Sequence, residues 1–229
     1  MKLLGIETAT EACSAALMLD GEVVERFTSE PRMHNELILP MCQALLAEAE
    51  VSMSQLDAVV FGCGPGAFTG VRIGAAVTQG IAFAHDLPVI PISTLANLAQ
   101  QAFLQDVSYQ FVLPAIDARM HEVYWAVYQK QTNDEIKLLD AELVQKPQDV
   151  QCLQKVSYGI GSGWGSYQET LQQKTALNQV AIDGAALPHA KTALTLALPK
   201  YQRAEYHAAE FALPVYVRDD VAHKKNAKR

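Results

Sequence analysis

A glycine-rich turn set between a strand and a helix constrains this chain more than any other feature. Gly64-Pro65-Gly66-Ala67-Phe68-Thr69-Gly70 follows a short apolar run, Asp57–Gly62, and precedes a Gly- and Ala-rich stretch predicted to be helical from about Val71 to His85. Strand, turn and helix in that order belong to a layered α/β fold. Backbone N–H groups at such a turn, together with the helix dipole, can cradle a phosphate. No Gly-Lys-Ser/Thr comes after it, so the loop is not a Walker A motif. Two readings stay open from spacing alone: a phosphate site built on Gly64 and Gly66, or a tight turn whose glycines let the helix pack closely.

The elements around this turn read as one α/β unit. Leu3–Ile6, Cys13–Leu19 and Glu22–Thr28 are three strand candidates, the last two joined by the hairpin signal Asp20-Gly21. Leu37, Ile38, Met41, Leu45 and Ala49 recur at helical spacing from His34 to Glu50. Pro88–Ile92 is a further strand, and Ser93 or Thr94 caps a third helix through Phe103. The polar stretch Gln105–Gln110 divides the chain into residues 1–105 and 106–229. The second part opens with three more strands, Phe111–Ile116, Glu122–Gln129 and Ile136–Leu143, a structural echo of the first. The echo is expected to fade after them. Val156–Ile160 reads as a strand, the glycines at 159, 161, 163 and 165 loosen the next stretch, and irregular helical patterns run on to Glu210.

Composition excludes several classes. Half the residues are hydrophobic and 19% are charged, which fits a globular protein and not a disordered one. The net charge of −7 and a pI near 5.3 argue against a dedicated nucleic-acid binder. The basic tail of Lys224, Lys225, Lys228 and Arg229 reads as a solvated terminus. The most apolar stretch, Ala58–Ile92, is broken by glycines, prolines, Arg72, His85 and Asp86, so no membrane span is expected. Cys13, Cys42, Cys63 and Cys152 form no CxxC pair and fit a reducing, cytoplasmic setting. The histidines show neither HExxH nor HxxxH, so no metal site is expected.

Two smaller constellations remain. Glu7-Thr8-Ala9-Thr10 ends the first strand, where actin-like kinases and ATPases place a metal-holding acid; no glycine succeeds it in the turn. Asp117-Ala118-Arg119 ends the first strand of the second half, at the position that echoes Glu7. An ion pair is the default for Asp117 and Arg119, and nucleotide or partner binding the alternative. Gly70, Gly74 and Thr78 fall four apart on the second helix, beside the apolar stripe of Leu37, Ile38, Met41 and Leu45 on the first. Such faces can pack on their own sheet or dock a partner helix.

Several motifs together resemble the TsaB family, formerly YeaZ. They are Leu4-Gly5-Ile6-Glu7-Thr8-Ala9-Thr10, His34 with Leu37-Ile38-Leu39-Pro40, the Gly64–Gly74 block, Ile116-Asp117-Ala118-Arg119-Met120 and Pro214-Val215-Tyr216-Val217-Arg218-Asp219. The resemblance runs in order along nearly the whole chain. It implies an actin-like (ASKHA, ribonuclease H-like) fold of two lobes, the second degenerate. It also implies a bacterial subunit of the machinery that forms N6-threonylcarbamoyladenosine (t6A) at position 37 of tRNAs reading ANN codons. The related TsaD is the catalytic subunit, with an HxxxH metal motif after its glycine loop. The comparable stretch here, Pro91–Leu98, contains no histidine. The family has Asp where this chain has Glu7. The implied role is a non-catalytic scaffold with no catalytic residue and no intrinsic cofactor, ATP/ADP and metal being held by partner subunits. TsaD would pair through the first two helices, at Leu37, Ile38, Met41, Leu45, Gly70, Gly74 and Thr78. TsaE, an ATPase, would join the pair, and tRNA would be met through the complex. Without TsaD the same helices would form a homodimer. Glu7, Thr8, Gly64, Gly66, Asp117 and Arg119 would mark a vestigial nucleotide site. The alternative is a small actin-like kinase or ATPase using Glu7, the Gly64 loop and Asp117.

Overall fold

The structure, a computed structural model, describes residues 1–30, 32–131, 135–175, 177 and 181–218. Asp219 and the basic tail lie outside the described residues. Lys2–Glu7 (β1), Cys13–Leu19 (β2) and Glu22–Thr28 (β3) form an antiparallel meander. Its tight turn places Asp20 and Gly21 at φ 51° and 97°, the left-handed pair that a two-residue hairpin requires. The central strand β1 also pairs in parallel with β4 (Ala58–Gly64), and β4 with β5 (Val89–Ser93), so the sheet order is β3-β2-β1-β4-β5. Side chains alternate across β1. Leu4 and Ile6 enter a core with Ile38, Cys42 and Leu45 of α1 (His34–Glu48) and Ala75 and Ile81 of α2 (Phe68–His85).

The other face of this sheet is covered from the far end of the chain. Leu3, Met18, Val60 and Ile90 pack against Ala190, Ala193, Leu194 and Ala197 of α5 (Ala190–Gln202). Conversely α3 (Thr94–Gln105), which leaves β5, packs Leu95, Leu98 and Phe103 on the second sheet. Asn97 fixes this crossing: its Nδ2 donates to the His189 carbonyl at 2.8 Å and its Oδ1 accepts from the His189 N–H at 3.2 Å. The start of α5 is held by β3, where Glu25 accepts from the Lys191 N–H at 3.1 Å and lies 2.9 Å from His189 Nδ1.

The second sheet repeats the order of the first, further than the sequence leads one to expect. β6 (Phe111–Asp117) pairs antiparallel with β7 (Val123–Trp125) and β8 (Tyr128–Lys130). The single strand expected over Glu122–Gln129 is thus broken in two. The expected strand Ile136–Leu143 likewise becomes β9 (Ile136–Leu138) and β10 (Leu143–Gln145). β6 then pairs in parallel with β11 (Tyr158–Ile160), and β11 with β12 (Ile182–Asp183). The glycines expected to loosen this stretch are close-contact positions. A Cβ on Gly159 would lie 2.4 Å from the Trp164 ring, and one on Gly163 2.9 Å from the Ala115 backbone. They let α4 (Ser162–Thr175) press on β6 as α2 presses on β4. The counterpart of α1 is reduced to one 3-10 turn at Pro147–Asp149, and the strands beside β6 are shortened to two or three residues. Two related lobes, the second degenerate, make this an actin-like, ribonuclease H-like α/β fold.

Candidate functional site

The glycine turn is filled by the chain itself. Backbone and side chains of the β1–β2 turn press into it at every fourth residue. A Cβ on Gly62 would lie 2.2 Å from Glu7 Oε2, on Gly66 2.1 Å from the Ala9 carbonyl oxygen, on Gly70 2.1 Å from the Thr8 carbonyl oxygen, and on Gly74 2.6 Å from Thr8 Oγ1. Real Cβ atoms do not approach so closely, so these positions require glycine for packing. Hydrogen bonds seal the contact. Ala67 N–H donates to the Ala9 carbonyl at 2.7 Å, and Thr8 Oγ1 donates to the Gly70 carbonyl at 2.8 Å. The Thr8 and Ala9 carbonyls thus lie against Gly70 and Gly66 on the inner side of the turn, while Gly66, Ala67 and Phe68 border open space on the outer side.

Glu7 is fully buried beneath this turn. Its Oε1 accepts the Ala9 N–H at 2.7 Å, and its Oε2 has no partner among the described residues. Burial pushes its pKa up to about 7, against the lowering effect of the Ala9 and Thr8 backbone hydrogen bonds. Of the six residues expected to mark a nucleotide site, Glu7, Thr8 and Gly64 therefore lie behind the turn. Gly66, Asp117 and Arg119 line a cleft of about 670 Å³ between the lobes.

Three arginines, Arg72, Arg119 and Arg218, and the rings of Phe68, Tyr124 and Tyr216 line that cleft among mostly apolar residues. Arg119 lies 3.5 Å from Asp117 and 3.2 Å from Glu11, the ion pair expected from sequence with a second acid added. Arg119, Met120 and His121 hold φ of 60°, 53° and 60°, three consecutive left-handed residues without glycine, a conformation that costs energy at each. Arg218 braces this turn by donating to the Ala118 carbonyl at 3.3 Å and to Glu122. Arg72 stacks 3.1 Å over the Phe68 ring and 5.0 Å from that of Tyr216, and among the described residues it has no acidic partner. Arg72 and Arg218 sit inside the motifs of the family resemblance, but nothing in the sequence brought them together. Among the described residues no three His, Cys, Asp or Glu side chains gather as metal ligands do.

The helix faces correct the interface expected from sequence. Ile38 and Leu45 are buried in the first core, and Gly70, Gly74 and Thr78 face the β1–β2 turn and the sheet. Those five residues are internal because both apolar stripes are used to cover β1, β2 and β4. Leu37 and Met41 are half-buried at the edge of the same core. The apolar surface that remains open is the adjacent stripe. On α2 it comprises half-buried Ile73, exposed Ala76 and Gly80, and Phe83 at 81% exposure; on α1 it comprises exposed Leu39 and Pro40. Gly80 is mid-helix, and a Cβ there would meet nothing within 4 Å. Phe83 was the available signal, a large ring three residues beyond a glycine on the face shared with Ala76.

Among curated relatives, TsaB of Escherichia coli strain K12 is 42% identical over 230 residues, covering 98% of both chains. The chain belongs to the TsaB (YeaZ) family. TsaB of Haemophilus influenzae is 38% identical over 98% of this chain and 97% of its own. The solved structure of YeaZ from Pseudomonas aeruginosa superposes with a TM-score of 0.85 at 44% identity, covering 94% of this chain and 99% of that one. The family model described as "TsaD: tRNA N6-adenosine threonylcarbamoyltransferase" matches residues 23–226. No helix among the described residues is long and apolar enough to cross a membrane.

Proposed function

We propose that this chain is a non-catalytic cytoplasmic subunit in the formation of threonylcarbamoyladenosine in tRNA. It pairs with the catalytic subunit TsaD, is joined by TsaE, and meets tRNA through the assembly. The relatives described as tRNA threonylcarbamoyladenosine biosynthesis proteins support the process. The filled glycine turn supports the absence of catalysis and argues against the kinase or ATPase reading. The acid that would hold a nucleotide's metal, Glu7, is fully buried, and the glycines that could admit a phosphate are needed for packing against Thr8 and Ala9. ATP or ADP and the metal belong to the partner subunits in this reading.

The open stripe on α1 and α2 carries the pairing. An exposed glycine in mid-helix costs about 1 kcal/mol relative to alanine, and the chain's own packing gives no reason for it at Gly80. A partner helix lying close against residues 73–83 supplies one. Without TsaD, a second copy covers the same stripe and gives a homodimer. Mixing the chain with TsaD and measuring the complex mass tests this directly. Phe83→Asp should leave the melting temperature unchanged and weaken the complex roughly tenfold to a hundredfold, because burying a Phe contributes about 1.5–3 kcal/mol. Unchanged affinity in that variant would place the interface elsewhere. The purified chain, given ATP, tRNA, bicarbonate and threonine, should form no modified nucleoside; formation by the chain alone refutes the non-catalytic reading.

A further inference from the structure

Two open aromatic rings flank an arginine in the cleft between the lobes. Phe68, in the first turn of α2, is 68% exposed, and Tyr216, on the C-terminal segment, is 48% exposed. Their ring centroids lie 6.5 Å apart, and the Arg72 guanidinium stacks on the first ring and stands 5.0 Å from the second. Arg72 Nη1 donates to the Phe68 carbonyl at 3.1 Å, and the side chain makes no other hydrogen bond or ion pair among the described residues. Arg72 covers one face of Phe68, and the exposure of the residue leaves the other face open to solvent.

The charges in the cleft do not balance. Arg119 is paired with Asp117 and Glu11, and Arg218 with Glu122, which leaves Arg72 as the cleft guanidinium without an acid among the described residues. Such a group takes an oxyanion on two N–H groups at once. Open ring faces beside it stack planar bases, whatever their sequence. A carboxylate side chain would satisfy Arg72 and leave the rings empty, whereas a nucleotide strand brings phosphates and planar bases together. A free nucleoside triphosphate would also bring a metal ion, and among the described residues no three His, Cys, Asp or Glu side chains gather to hold one. The relatives are named for the biosynthesis of a tRNA nucleoside, and an RNA loop offers unpaired bases free to splay onto aromatic side chains. The net charge of −7 keeps the contact local and the affinity for a free strand low.

On the reading that the assembly acts on tRNA, we propose that this cleft holds two consecutive nucleotides of single-stranded RNA, their bases on Phe68 and Tyr216 and the linking phosphate on Arg72. Hepta-adenylate RNA is the probe, titrated into the isotope-labelled full chain at low salt and followed by amide NMR. Saturable shifts are expected at residues 66–72 and 215–218, with a dissociation constant of roughly 0.1–1 mM. Phe68→Leu keeps an apolar side chain and removes the ring; it should weaken binding about tenfold and leave the melting temperature unchanged. Arg72→Gln should lower the slope of log affinity against log salt by about 0.7, the share of one phosphate contact on a single strand. AMP, which stacks one base, should bind about tenfold more weakly than the strand, and a blunt RNA duplex should not shift these residues. No saturable shift at about 2 mM probe overturns the proposal. So does AMP binding as tightly as the strand, which marks a mononucleotide pocket, and so does a salt slope unchanged in Arg72→Gln, a comparison that stands even where Phe68→Leu does not fold. RNA affinity unchanged in Phe68→Leu while the complex with TsaD weakens overturns it too, and marks a protein contact. The reading of the assembly fails separately, if TsaD with TsaE forms the modified nucleoside in the absence of this chain.

Discussion

Replacing Glu7 by glutamine should make the protein's stability less sensitive to rising pH, because it removes a fully buried titratable group and changes no packing. The carboxyl is enclosed, one oxygen is unpartnered, and burial raises its pKa from the usual 4.5 to about 7. A raised carboxyl pKa means that the folded state holds a proton the unfolded chain has released. Stability is therefore lost as pH rises through the window from about 4.5 to about 7. At pH 5 about a quarter of this loss has occurred; by pH 8 it is almost complete. With 1.36 kcal/mol per pKa unit, the native protein loses about 2–3 kcal/mol more than the glutamine variant between those two pH values. Glutamine keeps the acceptor for the Ala9 N–H, and any constant cost of its unpartnered amide cancels when each protein is compared with itself. Urea unfolding of both at pH 5 and pH 8 measures the difference. In thermal melts it corresponds to about 5–10 °C for a chain of this size. Parallel pH dependence in the two proteins would refute the assignment of Glu7 as a buried, proton-holding acid.

Gly70→Ala should cost about 3 kcal/mol, the upper end of overpacking, because its Cβ would lie 2.1 Å from the Thr8 carbonyl oxygen; chemical denaturation reads it. Gly80→Ala should do the opposite and stabilise by about 1 kcal/mol in the same assay, since its methyl meets open space. Glu25→Gln should cost about 1.5–3 kcal/mol at pH 7 by weakening the hold of β3 on α5. Burial opposes ionisation of Glu25, but the bonds from His189 and Lys191 outweigh it and hold its pKa below the usual 4.5. Its contribution is thus present above about 4.5 and lost as pH falls through the lower folded value. Melts of native and variant should converge in acid.

The local elements of the first lobe were legible because each carries a short-range signal. Asp20-Gly21 fixes a hairpin through its left-handed backbone, Ser93 caps α3 with its own hydroxyl, and the glycine block marks a strand turning into a helix. The second lobe was legible in β6 and β11 and blurred between them. There β7, β8, β9 and β10 are each three residues long, too short for an alternation to establish itself, and pairing makes them strands: β7 and β8 on β6, β10 on β7, and β9 on β8.

The sequence by itself determined that Gly66, Gly70 and Gly74 leave room for something close, and that α1 and α2 carry apolar stripes. Only the tertiary structure decided what is admitted and where the stripes face. A glycine repeat is the same signal for a phosphate, a partner helix or the chain's own backbone, because all three ask only that a Cβ be missing. Here Thr8 and Ala9, some sixty residues earlier, occupy the space, so the stripe at Gly70, Gly74 and Thr78 turns inward and the one at Ile73, Ala76, Gly80 and Phe83 is left outside. The crossing of α3 and α5 between lobes is equally invisible in the chain. Helix-to-sheet packing is fixed by which apolar faces meet in space, and the residues that meet, such as Asn97 and His189, are far apart in sequence.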